Sequence, residues 1–345
     1  MMADETIRLG VVGTRNIGKG HIRNAADTED AEVVAVAELD GQLRLETMAS
    51  FDIADGYDSA DKLLARDDID GVVLAVPNQL HAPLTVQALR QGKHVLVEKP
   101  MSRNVAEAEQ MIEARDESGR VLMVGMNQRF NPAHQLIKNA MDEGAIGNFQ
   151  YGRTSWTQDA PHEGLWGRGD WFLSDSLAGG GPMIDLGIHR LDLALYFLGF
   201  PEIKSVVGIC NSGIGRKEAK KRGKKYDIED SAFGLIRFEN GSCLEVEASY
   251  FLNTDSPGQD TVLYGVDGMV RTSAEFPLQT RGPEGLRPLS VEAEANHATS
   301  CVEHFVRVLQ GKNELIPTPE QGLEGMRIIE SIYQSARTGE PVCFS

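Results

Sequence analysis

The 345-residue chain predicts an α/β protein of two domains: a parallel sheet wound by helices on both sides, followed by an α+β domain built on a mainly antiparallel sheet. Three observations carry this. Up to about residue 130, short Val-rich apolar runs alternate with amphipathic stretches of helical spacing, the pattern of strands buried on both faces. Beyond Asn131 the apolar runs lengthen, alternate with polar residues and are joined by Asn-Gly and Asp-Gly pairs, which favour hairpins. The first apolar run also ends in a glycine-rich turn that opens straight into a helical stretch.

In chain order, strands are expected at Ile7–Val12, Val33–Ala37, Gly71–Val76, His94–Glu98 and Val121–Val124. Helices such as Leu80–Gln91 and Val105–Ser118 lie between them, and crossovers of this kind are right-handed. The first domain is expected to cover 1–130 and the second 131–345. The second opens with a helix near Pro132–Met141. It continues with a hairpin of Ser231–Phe238 and Ser242–Phe251 across Glu239-Asn240-Gly241, where the Asn-Gly pair predicts two central residues at positive φ. Thr261–Val266 and Met269–Thr272 form a second hairpin across Asp267-Gly268. Helices near Ala298–Gln310 and Pro319–Thr338 close the chain.

Composition narrows the class. Hydrophobic residues make up 41% and charged residues 25%, as in ordinary globular proteins and unlike disordered chains. No run approaches the roughly 18 apolar residues of a membrane-spanning helix. The start, MMADETIRLG, lacks a basic region followed by an apolar stretch, so no signal peptide is expected. Cys210, Cys243, Cys301 and Cys343 lie far apart and read as reduced, mostly buried thiols of a cytoplasmic protein. Lys plus Arg number 34 against 51 Asp plus Glu, a net charge of −17, which repels nucleic acid and anionic membranes. The basic run from Arg216 to Lys225 has no interleaved aromatics and reads as a solvated loop.

The glycine-rich turn reads Gly13-Thr14-Arg15-Asn16-Ile17-Gly18-Lys19-Gly20. Such a turn between strand and helix aims backbone N–H groups and the positive end of a helix at a phosphate. It matches the dinucleotide pattern GxGxxG except that Arg15 stands at the middle glycine. The P-loop pattern fits as far as Lys19, but Gly20 replaces the hydroxyl that would hold magnesium, and the strand ending at Val76 runs into Pro77-Asn78 rather than a metal-binding Asp. Glu38, 20 residues after Gly18, ends the second strand and is followed by Leu39-Asp40. An acid there accepts from the adenosine ribose and repels a 2′-phosphate, so NAD is preferred over NADP.

Two further segments suggest chemistry. Lys99, in Glu98-Lys99-Pro100, ends a central strand, and ligands of open α/β sheets sit at that end. The run Gly179-Gly180-Gly181-Pro182 leads into a helix near Ile184–Leu198, on which Asp185, His189, Asp192 and Tyr196 share one polar stripe. No HExxH or other ligand set predicts a metal. His21, His94, His134, His162, His297 and His304 have no partner identifiable from sequence.

Taken in order, the glycine turn, Val76-Pro77-Asn78 with His81, Glu98-Lys99-Pro100, Asn127-Gln128-Arg129-Phe130, Gly180-Gly181 with Asp185 and His189, and the helix Ile328–Ala336 resemble the glucose–fructose oxidoreductase / inositol dehydrogenase / MocA family across nearly the whole chain. The resemblance implies an N-terminal Rossmann domain, a C-terminal domain with an open, mainly antiparallel sheet, and homodimers or homotetramers formed through that sheet. It implies oxidation of a secondary hydroxyl of a sugar, inositol or related polyol, with Lys99, Asp185 and His189 at the nicotinamide. It also implies that Pro77, Asn78, His81, Glu98, Lys99 and Asn127 line the cofactor cleft. Arg129, at the domain junction, is expected to touch substrate, and Trp171 either walls the substrate pocket or is a core residue. His189 is expected to act as general base, although Lys99 is an alternative proton acceptor. Loops such as Thr154–Ser176 and Leu252–Gln259 are expected to set specificity. Relatives that bind NAD without turnover, or that use it transiently in glycoside cleavage, are the alternatives; retention of all three chemical residues favours a dehydrogenase.

Overall fold

A computed structural model of the chain describes residues 6–159, 163–289 and 298–344. The chain forms two compact units. One runs to Asn127 and regains a later segment ending at Leu323; the other starts at Gln128 and resumes at Glu324.

The first unit holds six parallel strands: β1 (Ile7–Val12), β2 (Ala31–Ala37), β3 (Asp55–Tyr57), β4 (Gly71–Leu74), β5 (His94–Glu98) and β6 (Leu122–Gly125). Their order is β3-β2-β1-β4-β5-β6, so the winding reverses between β1 and β4, and ligands of such sheets bind at the carboxyl ends flanking that point. Leu9, Val36, Val72 and Val95 are fully buried, as the Val-rich runs predict. The three-residue β3 has no apolar period to announce it. β4 stops at Leu74, two residues short of the expected strand, as the chain turns toward Pro77. Helices Asn16–Ala26, Gly41–Phe51, His81–Arg90 and Val105–Ser118 follow β1, β2, β4 and β5. The Asp40 side chain accepts from the Gln42 and Leu43 amides, and that of Asn104 from the Glu107 amide, which satisfies donors the helices leave orphaned.

The first unit is not the simple stretch 1–130. Helix Cys301–Leu309 returns to it, with Val302, Phe305 and Val306 fully buried. The Phe305 ring packs so closely over β4 that a Cβ at Gly71 would lie 3.0 Å from it. An apolar helical stripe buries against whatever face is open, and a linear boundary cannot show a return of this kind. The closing helix Pro319–Thr338 starts in the first unit and ends in the second.

The second unit is a sheet of nine strands: β7 (Phe149–Asp159), β8 (Ile203–Asn211), β9 (Ser231–Phe238), β10 (Cys243–Leu252), β11 (Gly258–Gly265), β12 (Gly268–Arg271), β13 (Leu278–Gly282), β14 (Gly285–Pro288) and β15 (Val342–Cys343). The order is β14-β13-β12-β11-β7-β10-β9-β8-β15, open at both ends; β7 and β10 pair in parallel and the other described neighbours antiparallel. Both expected hairpins form. In the first, Gly241 alone takes positive φ (87°), while the Asn240 side chain accepts from the Ser242 amide. One left-handed glycine suffices for this longer loop, where a two-residue turn would need two such residues. The basic run is only partly a loop: its residues up to Lys221 belong to the helix Gly213–Lys221, in which Ala219 is buried, and the rest is turn and irregular chain. All four cysteines are free, and of these only Cys301 is buried.

Candidate active site

The first unit holds the candidate cofactor residues. β1 ends in Gly13 at φ 85°, whose amide donates to the Ala37 carbonyl at 2.8 Å. A Cβ on Gly18 would lie 1.9 Å from the Gly13 carbonyl oxygen, and one on Gly13 would lie 2.2 Å from that of Ala75. Both glycines are therefore demanded by close backbone approach. Thr14 is fully buried, while Arg15, Asn16 and Ile17 are exposed at the start of helix Asn16–Ala26, which has no side-chain cap. Its first amides remain available to an anion. The Glu38 carboxylate accepts from the Thr14 amide at 2.9 Å, and its other oxygen accepts from the Asp40 amide at 3.2 Å. The acid is thus locked at the end of β2. Arg15, with Asn16, Lys19, Asp40, Gln42, Leu43 and Glu46, lines a recess of about 400 Å³. Cradle, open helix start and fixed acid fit a dinucleotide with a free ribose 2′-hydroxyl.

At the end of β5, the Lys99 amide donates to Glu98 Oε2 at 3.2 Å, and Glu98 Oε1 lies 2.7 Å from Nε2 of His21. His21 sits on the phosphate-turn helix, so one hydrogen-bond contact ties the turn to the lysine segment. Asn78 opens a short 3-10 turn right after Pro77 and is buried; Asn127 is exposed in the 3-10 turn after β6. His81 was expected to line the cofactor cleft. It is fully buried, with Nδ1 at 2.7 Å from the Pro100 carbonyl and Nε2 at 2.9 Å from that of Val76. Burial holds its pKa below the usual histidine value. The ring clasps the chain segments that follow β4 and β5 together.

The second unit holds the remaining candidate residues. Gly181-Pro182 enters a single π-helical turn, Met183–Gly187, which continues as the α-helix Ile188–Leu198. Such turns cluster at functional sites. Asp185 and His189 are each 8% exposed. Asp185 Oδ2 accepts from the Tyr250 hydroxyl at 2.9 Å and from Arg168 Nη1 at 3.3 Å. Burial and the adjoining Asp185 push the Tyr250 phenol well above its usual pKa, so it remains a donor. Trp156 lies against His189, ring centres 5.6 Å apart. The four-residue polar stripe splits in two. Asp192 takes a two-point contact from Arg129, Nε at 2.9 Å and Nη2 at 2.6 Å. Tyr196 lies under the same guanidinium at 4.8 Å. Arg129, expected to touch substrate, is 1% exposed, and its charge is matched by Asp192.

Trp171 is half-buried in the 3-10 turn Asp170–Leu173, edge-on to Phe172 at 4.8 Å, and Phe172 in turn lies 6.1 Å from Tyr250. Arg168 rests over Phe172 at 5.2 Å. Sequence reasoning missed three residues. Arg168 fell inside a segment read only as a specificity loop. Tyr250 occupies an ordinary strand position. His21, three residues past Gly18 on the inner helix face, gave a signal in its spacing but none in its partner. His94 accepts from the Val121 amide and His134 meets the Gln128 carbonyl; His162 and His297 lie outside the described residues.

Residues 7–126 match the model of an oxidoreductase family with an NAD-binding Rossmann fold, and residues 134–271 match the GFO/IDH/MocA C-terminal domain. D-glucoside 3-dehydrogenase of Escherichia coli K12 is 30% identical over 349 aligned positions, covering 99% of this chain and 98% of that protein. Levoglucosan dehydrogenase of Pseudarthrobacter phenanthrenivorans is 30% identical over 270 positions, 71% and 68% of the respective chains. A solved levoglucosan dehydrogenase complex with NADH and levoglucosan superposes with a TM-score of 0.84 at 25% identity, covering 98% of this chain and 99% of that one.

Proposed function

The chain belongs to the glucose–fructose oxidoreductase / inositol dehydrogenase / MocA family of NAD-binding oxidoreductases, and from that premise we propose that it dehydrogenates a secondary hydroxyl of a sugar, glycoside, inositol or related polyol, with Lys99, Asp185 and His189 as its chemical residues. The observation that carries the proposal is the fixed acid of the second unit: Asp185, on a π-helical turn one step before His189, takes two donors on a single oxygen.

Bound NAD⁺ supplies the acceptor for the hydrogen that leaves carbon. The residues of the chain govern the hydroxyl proton. His189 accepts it, since imidazole changes protonation near neutral pH. Asp185, held by Tyr250 and Arg168, accepts a hydrogen bond from a substrate hydroxyl and orients the ring. The Lys99 ammonium stabilises the developing alkoxide. Trp171, Phe172 and Arg168 wall the substrate side. Glu38 selects NAD over NADP.

The exposed side of the second unit's sheet carries Val207, Ile209, Leu235, Tyr151 and Tyr264, each between 38% and 59% exposed. An apolar sheet face of this kind suits a second copy of the chain in a homodimer or homotetramer. Four free cysteines accord with a reducing, cytoplasmic compartment. Among the described residues no helix is long and apolar enough to cross a membrane. The test is a panel of sugars, glycosides, inositols and sugar acids with NAD⁺ and with NADP⁺, read by NADH or NADPH absorbance. Turnover with a polyol and NAD⁺ is expected; no turnover across the panel overturns the proposal.

A further inference from the structure

The glycine run before Asp185 has a partner that nothing in its own sequence announces. Glu229 lies just ahead of β9, and its carboxylate grips the turn with both oxygens. Oε2 accepts from the Gly181 amide at 2.7 Å; Oε1 accepts from the Met183 amide at 3.1 Å and from the Tyr333 hydroxyl at 2.8 Å. The glycines are sized to this clamp. A Cβ on Gly180 would lie 2.3 Å from the Tyr333 hydroxyl oxygen, and one on Gly181 would lie 2.2 Å from the Glu229 carbonyl oxygen. Gly180 also stands at φ 149°.

The clamp leads to Asp185 by two routes. The Gly181 carbonyl accepts from the Asp185 amide at 3.2 Å, so the turn that Glu229 holds carries the backbone of Asp185. The Asp230 carbonyl, next in sequence, accepts from the Tyr250 amide at 2.9 Å, and the Tyr250 hydroxyl holds Asp185 Oδ2. Backbone and side chain of the same acid are thus both referred to the dipeptide Glu229-Asp230. A carboxylate is suited to this task because it accepts from several donors and donates to none, whereas an amide would turn its NH₂ toward one of them.

We propose that Glu229 is the positioning residue of the active site: through the Gly181–Met183 turn it sets where Asp185 and His189 stand against the substrate, and Tyr333 holds it there. Burial raises the pKa of Glu229 above the usual carboxylate value, and the donors from Met183, Tyr333 and Gly181 oppose that rise. The ionised form therefore depends on the clamp being complete. The proposal rests on the dehydrogenase reading for its kinetic readout, but its geometric readout is independent of that reading.

The experiment compares full-length wild type, Glu229→Gln and Tyr333→Phe with the best polyol found in the panel. A misplacement of about an ångström costs on the order of 100-fold in turnover. For Glu229→Gln, kcat per NADH-binding site is expected to fall by about 10- to 100-fold, with NADH affinity within about twofold of wild type. The isotope effect with carbon-deuterated substrate is expected to rise, as the chemical step becomes slower. A purely structural residue would lower the folded fraction and leave kcat per folded site and the isotope effect unchanged, and that outcome overturns the proposal. Should Glu229→Gln not fold, Tyr333→Phe keeps the carboxylate. It is expected to lose about threefold or more in kcat at unchanged NADH affinity, and wild-type kcat in that variant overturns the proposal. If wild type itself turns over no polyol, the dehydrogenase reading falls, and the Glu229 proposal is decided by crystallography. A shifted Gly181–Met183 turn with the Tyr250–Asp185 hydrogen bond lost supports it; an unmoved turn refutes it.

Discussion

Replacing Gly18 by alanine tests the cofactor half with one methyl group. The added Cβ would lie 1.9 Å from the carbonyl oxygen of Gly13 and 2.9 Å from its carbonyl carbon. Ordinary contacts between such atoms begin above about 3 Å, so turn and helix must part by roughly 1 Å. Hydrogen bonds to a phosphate span only about 2.7–3.2 Å, so a shift of that size breaks one or two of the donors at the helix start. Each bond to a charged group contributes about 1.5–3 kcal/mol. The loss is therefore about 2–4 kcal/mol, or roughly 30- to 1,000-fold in NADH affinity. Gly20, on the same helix, is the control, because a Cβ there meets nothing within 4 Å. Gly20→Ala is expected to bind NADH as wild type does and to gain up to about 1 kcal/mol of stability from helix propensity. NADH fluorescence titration and thermal melts read both quantities. A Gly18→Ala protein that melts normally and binds NADH within about threefold of wild type would refute the phosphate-turn assignment.

Lys99→Met and His189→Ala are each expected to retain NADH binding while kcat falls by about 10²- to 10⁴-fold, measured by steady-state turnover; near-wild-type kcat in both removes them from the chemistry. Glu38→Ala is expected to weaken NAD⁺ and to raise the ratio of kcat/KM for NADP⁺ to that for NAD⁺ by about tenfold or more, and an unchanged ratio would show that Glu38 does not choose the cofactor. His94 is a stability sensor: burial, assisted by Arg120, holds its pKa down at about 4, below the usual histidine value near 6.5, and its Nδ1 must be unprotonated to accept from the Val121 amide. Because the folded value is the lower one, the stabilisation is fully present above about pH 6.5 and is lost as pH falls toward 4. The shift is equivalent to about 3 kcal/mol, and about 2 after solvent screening. Urea melts from pH 7 to pH 4 are expected to show this slope reduced in His94→Gln; an equal slope in the variant assigns the loss to other groups.

Much of the fold was legible because its signals are local. The run Ile7–Val12 needs no partner to read as a buried strand, and the structure places β1 over those residues. Gly241 marks a turn by its conformational freedom alone. The failures share one cause, which is that burial is decided in three dimensions. Arg129 sits in a recognisable motif, yet its partner Asp192 could not be read from it. His81 likewise sits one turn from Pro77-Asn78, but its two carbonyl neighbours come from segments 5 and 19 residues away. The return of helix Cys301–Leu309 to the first unit belongs to the same class, since an amphipathic stripe states that it will be buried but not against what.

Asp185 shows why a chemical motif can be visible while its support is not. Its own identity and its spacing from His189 are carried on a few consecutive residues, so the pair stands out in a single sequence. What holds it comes from Arg168, Tyr250 and Glu229, which lie 17, 65 and 44 residues away. Each of those three is unremarkable where it stands: an arginine in a loop, a tyrosine in a strand, an acid ahead of one. Only pairing β10 with β9, which sets Ser249 against Ser231, brings the Tyr250 and Glu229 segments beside each other and beneath the π-helical turn. Reacting groups must be few and fixed in type, whereas a carboxylate can be oriented by any donors that reach it. The proposed reacting groups therefore stand out in the sequence in a way that their supports do not.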